Sequence, residues 1–167
     1  MHLHKYEKIW LIFGLGSLIL FLAIIGFAAF YKGTHPQSHI ETIDPQNIEA
    51  NENFKPENLG LTKVEEGKYV VNIVASAFNY DLGIDEKGKR VNKIRIPKGS
   101  KVLFQITTKD VVHGFNVAGT NVNMMVEPGH ISRYETTLKN TGEFTIVCNE
   151  YCGLGHHLMF GTVEVYE

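Results

Sequence analysis

The chain has 167 residues, 44% of them apolar, with 16 basic and 18 acidic side chains and two cysteines. That length suits one modest domain with an appendage and excludes a second full catalytic domain. A net charge of −2 with scattered lysines gives no field able to hold a nucleic-acid backbone, which excludes nucleic acid as a partner.

Residues 9–31 form an uninterrupted run of 23 without a charge. As a helix the run would extend about 35 Å, enough to cross a bilayer core of about 30 Å. Tyr6 and Trp10 lie at one end and Tyr31 at the other, with Lys5, Lys8 and Lys32 just outside, the pattern of interfacial anchors. A cleaved signal peptide ending near Gly26-Phe27-Ala28 is the competing reading, but a signal core spans only about 7 to 15 residues. Residues 1–34 are therefore expected to be a single-pass membrane anchor. Two lysines before the run against one after it favour a cytoplasmic N-terminus and a domain on the outer side of the cell membrane.

Residues 35–66 change character, with His35, Pro36, Asp44, Pro45, Asn51, Pro56 and Glu57 interrupting isolated apolar residues such as Ile40, Ile43 and Ile48. Such a stretch encloses no core of its own and is expected to be an extended tether lying on the domain or on a partner. From residue 67 onward the hydrophobic period is two, as where Val102, Phe104 and Ile106 share a face. Strands are expected at 69–77, 93–96, 101–107, 115–117, 122–126, 131–137, 143–147 and 161–165. Turn residues at 85–88, 97–99, 128–129 and 140–142 punctuate them, so residues 67–167 read as a small β sandwich or barrel. No dinucleotide fingerprint, Walker loop or serine-nucleophile elbow is present in the sequence.

The chemistry is concentrated between the last two expected strands, where Cys148, Cys152, His156 and Met159 follow C-x3-C-x3-H-x2-M spacing. Thiolate and thioether are soft donors that favour copper(I), and imidazole suits copper in either oxidation state. A second histidine must come from elsewhere, and His113, at the head of an expected strand, is the natural supplier. One cysteine would make a mononuclear centre, whereas two thiolates beside two imidazoles can bridge a pair of coppers. Met159 then serves one copper, and a backbone carbonyl between the cysteines, best centred at Glu150, serves the other. A disulfide is the competing reading for the cysteines, but so short a loop gains little from a bridge. His157 competes with His156, and the three-residue gap after Cys152 favours His156. His2, His4, His35, His39 and His130 read as surface residues.

The string C-N-E-Y-C-G-L-G-H-H-L-M-F-G, the upstream V-V-H-G-F and the apolar helix closely resemble subunit II of the heme-copper oxygen reductases, in the compact B-type, cytochrome ba-like branch. The resemblance implies a mainly β, cupredoxin-like Greek-key barrel behind one N-terminal transmembrane helix. It implies a dinuclear CuA centre of two copper ions, bridged by Cys148 and Cys152 and terminated by His113 and His156. Met159 and the main-chain oxygen of Glu150 would be its weak ligands. By the same resemblance a cytochrome c donates electrons, which pass on to heme in subunit I, where oxygen is reduced to water. In the larger branch a glutamate at the place of Glu150 helps hold magnesium or manganese against subunit I; a solvated carboxylate is the other reading. Phe78 and Tyr80, with the apolar residues Leu154, Leu158 and Phe160, are the expected donor-docking residues, strand-end packing being the alternative for the two rings. A membrane-tethered cupredoxin outside any oxidase remains the rival, although Cys152 argues against it.

Overall fold

The computed structural model describes residues 4–32, 38–85 and 88–167. His2, His35 and residues 86–87 of the expected 85–88 turn lie outside them, as does the His39 side chain. The chain divides into two compact units, residues 1–36 and 37–167.

In the first unit a single helix, α1 (Lys5–Lys32), covers the predicted apolar run. It is apolar on every face, as a membrane span is and a surface helix of a globular protein is not. Of the described helices it alone is long and apolar enough to cross a bilayer.

The second unit is built from strands. One sheet runs in the order β1 (Ser38–Thr42), β9 (His130–Thr137), β6 (Lys101–Thr108), β3 (Lys68–Ser76), β2 (Gly60–Glu65), with β4 (Asn79–Asp81) also paired to β3. The other runs β5 (Lys93–Pro97), β11 (Phe160–Tyr166), β10 (Gly142–Val147), β7 (His113–Val117), β8 (Asn123–Val126). Pairing is antiparallel except for β3 with β6 and β11 with β5. Alternating residues meet between the sheets: Val102, Phe104 and Ile106 from β6 lie against Phe115 and Val117 from β7, Ile146 from β10 and Val163 from β11. Every strand expected from the period is present.

Residues 38–66 do more than the expected tether. They supply β1 and β2, and Ile48 and Phe54 bury themselves with Val74 and Ile131 in a second cluster. Three short 3-10 turns, Ile48–Ala50, Glu52–Phe54 and Pro56–Asn58, carry that cover. This second cluster explains why burial in β3 and β6 departs from strict alternation, with Asn72, Gln105, Thr107 and Thr108 also buried. Their polar groups are satisfied in place: Gln105 donates to Asn72 Oδ1 (3.1 Å), Asn72 donates to the Asn58 carbonyl (3.0 Å) and Arg133 donates to Gln105 (2.6 Å).

Candidate metal centre

One strand and one loop deliver the candidate donors. His113 opens β7, and its side chain is fully buried. β10 and β11 pair antiparallel up to Val147 opposite Phe160, so the twelve residues 148–159 form a loop whose base is closed by the sheet. Cys148 leaves one side of that base and Met159 re-enters on the other, both buried. Within the loop a 3-10 turn, His156–Leu158, points His156 back toward Cys152, while His157 is exposed.

The donor atoms converge. Cys148 Sγ and Cys152 Sγ lie 3.7 Å apart as free thiols, well beyond the roughly 2.05 Å of a disulfide. His113 Nδ1 is 4.0 Å from Cys148 Sγ, and His156 Nδ1 is 3.5 Å from Cys152 Sγ. The Glu150 carbonyl oxygen lies 3.2 Å from Cys148 Sγ, and Met159 Sδ lies 3.9 Å from Cys152 Sγ. Each thiol thus has its own imidazole nitrogen and its own weak donor. Burial and the neighbouring Cys148 thiol push the Cys152 thiol up to about 11. Two thiolates at this separation therefore need added positive charge, and soft sulfur beside imidazole nitrogen is the donor chemistry that copper prefers.

Several contributors carry no signal in the ligand spacing. Asp110 accepts from His113 Nε2 (2.8 Å), which leaves Nδ1 facing the thiols. Burial alone would raise the Asp110 carboxyl, but the Ala77 N–H, His113, the Val111 N–H and the Thr108 hydroxyl outweigh it and hold it at about 2. Asn149 donates to Asn123 Oδ1 (3.0 Å), tying the loop to β8. Gly114 admits the loop: a Cβ there would lie 2.6 Å from Asn149 N and 2.8 Å from Glu150 N. A carboxylate three residues before a candidate histidine was the one available hint for Asp110; the other contacts depend on chain crossings.

The expected docking residues divide. Leu154, Leu158 and Phe160 are exposed around the loop, joined by Tyr151, and Phe78 lies at the edge of exposure with its ring over Gly153 and Gly155. Tyr80 does not join them. It is only 4% exposed, its hydroxyl donates to the Gly114 carbonyl, and its ring meets Phe115 edge-on at 5.6 Å. Packing in the core, not a docking surface, is what the structure gives that residue. His130 is likewise half-buried at the start of β9, in place of the surface position expected for it.

A β sandwich with soft sulfur and imidazole donors gathered at one end defines a copper-binding, cupredoxin-like domain, here carried behind a membrane anchor. The profile described as "Cytochrome C oxidase subunit II, periplasmic domain" matches residues 74–165. Cytochrome c oxidase subunit 2 of Thermus thermophilus is 38% identical over 164 residues, covering 97% of this chain and 92% of that protein. A chain of a heme-copper terminal oxidase dimer solved by cryo-EM superposes with a TM-score of 0.76 at 30% identity, covering 97% of this chain and all of the other. The periplasmic domain of oxidase subunit II from Bradyrhizobium japonicum shares the fold, with a TM-score of 0.50 at 20% identity over 59% of this chain and 83% of that one. This chain belongs to the cytochrome c oxidase subunit II family, the subunit through which electrons enter a terminal oxidase.

Proposed function

We propose that the loop and His113 hold a dinuclear CuA centre of two copper ions, bridged by Cys148 and Cys152 and terminated by His113 and His156. Met159 is the weak ligand of one copper and the Glu150 carbonyl that of the other. The observation that carries this reading is the pairing of donors, each thiol accompanied by one imidazole nitrogen and one weak donor. Copper held by these residues would supply a one-electron redox couple. The protein's part is to fix the donors: Asp110 orients His113, the β10–β11 pair closes the loop, and buried sulfur keeps water away.

In this reading a cytochrome c donor docks on the rim of Leu154, Leu158 and Phe160 with Phe78, and electrons pass to heme in subunit I. The chain is of the B-type, cytochrome ba-like branch, with α1 crossing the membrane once, its N-terminus cytoplasmic and the copper domain outside. The exposed Glu150 carboxylate is free of the copper donor set and is read as solvated or hydrogen-bonded in preference to a ligand of magnesium or manganese at the subunit I interface, an ion that its hard oxygen would otherwise suit. The test is copper analysis with optical and electron spin spectra of the full chain in detergent. Two coppers per chain, a purple colour and a spin signal delocalised over both nuclei are expected; one copper with an ordinary blue spectrum overturns the dinuclear reading. Metal analysis of the whole complex before and after Glu150→Gln tests that choice: the copper spectrum should stay, and a stoichiometric magnesium or manganese lost only in the variant would instead establish the bridging role.

A further inference from the structure

Tyr80 belongs to β4, in the first sheet, yet its hydroxyl donates to the carbonyl of Gly114 in β7, in the second. The bond spans the sandwich directly beneath the ligand loop. The N–H of the same residue donates to Cys148 Sγ at 3.4 Å. Gly114 also lies against the loop backbone, with no room for a side chain between them. Pairing of Gly114 with Met125 of β8 holds one edge of this freely rotating residue, and the Tyr80 hydroxyl holds its carbonyl.

We propose that Tyr80 is a positioning residue for the copper centre, its hydroxyl fixing the Gly114 backbone so that the Gly114 N–H is aimed at the Cys148 sulfur. A hydrogen bond to a ligating thiolate draws electron density from sulfur and favours the reduced metal, so this contact holds the potential up. The inference rests on the copper reading above.

Tyr80→Phe keeps the ring against Phe115 and removes only the hydroxyl. In the copper-loaded full chain, the variant should retain the wild-type copper stoichiometry. Its midpoint potential should shift downward and its thiolate-to-copper absorption bands should move. Val165→Ala, a core truncation on β11 at a distance from the loop, should lower the melting temperature and leave potential and bands unchanged. A Tyr80→Phe variant that melts earlier but keeps the wild-type potential and bands overturns the proposal and leaves Tyr80 a packing residue. A second measurement is independent of whether that variant folds. The wild-type copper–sulfur stretch, read by resonance Raman, should move when the chain is prepared with deuterated amides. An unmoved stretch removes the N–H···S link and overturns the proposal. The copper content of the wild type tests the underlying reading separately, and a wild type that binds no copper overturns both.

Discussion

Cys148 and Cys152 are not interchangeable with Met159, although all three offer sulfur to the same place. A serine hydroxyl is a poor donor to copper(I). Cys148→Ser or Cys152→Ser should therefore abolish the two-copper spectrum, while Met159→Leu should keep two coppers and shift the potential. An empty site in Met159→Leu with an intact one in Cys152→Ser would reverse these assignments. Asp110 brings a pH dependence whose sign follows from its depressed pKa, about 2 against an ordinary 3.8. Its contribution is fully present above pH 4 and is lost as pH falls toward 2, because the unfolded chain takes up the proton first. With the carboxylate about a third exposed and screened, the contribution is about 1 kcal/mol. Acid unfolding of the copper-free full chain should therefore show a shallower limb between pH 4 and pH 2 in Asp110→Asn. The ligand spacing of the loop was legible because all its donors lie within twelve residues. Tyr80 was not, since a tyrosine two residues from an exposed Phe78 reads the same in sequence whether it faces solvent or crosses the core.

At the scale of elements, period two identified eight of the eleven described strands because their inner faces meet a single apolar layer, and it missed β1, β2 and β4. The cover formed by residues 38–59 escaped the same reading, since Ile43, Ile48, Phe54 and Leu59 recur at neither helical nor strand spacing. They are held by short 3-10 turns laid over a sheet, and their burial depends on a face that already exists. Phe54 is 1% exposed, so Phe54→Ala should cost about 3–5 kcal/mol of stability by truncating a buried ring. Chemical denaturation reads that loss. Because the cluster lies on the outer face of the first sheet and the donors lie in the second, copper stoichiometry and spectrum should be unchanged. A variant that loses copper with stability would show the two faces to be coupled.

For the whole molecule, residues from 35 onward carry 13 basic and 17 acidic groups, a net of −4. On the proposed docking, attraction of a basic donor would be moderate, and contact area on the exposed rim would share the work. Leu154→Ala with Leu158→Ala should raise the KM for a cytochrome c donor several-fold with little change in kcat, and added salt should slow the wild type only modestly. A steep salt dependence that is indifferent to those two changes would place docking elsewhere.

The closed base of the ligand loop, Val147 opposite Phe160, bears on how such centres diversify. Every proposed donor but His113 is carried between those two residues, and the sheet beneath needs only to keep the two strand ends adjacent. On the proposed copper reading the loop is a cassette: a dozen codons would suffice to change what metal is held, with the barrel and its core left to descend unaltered.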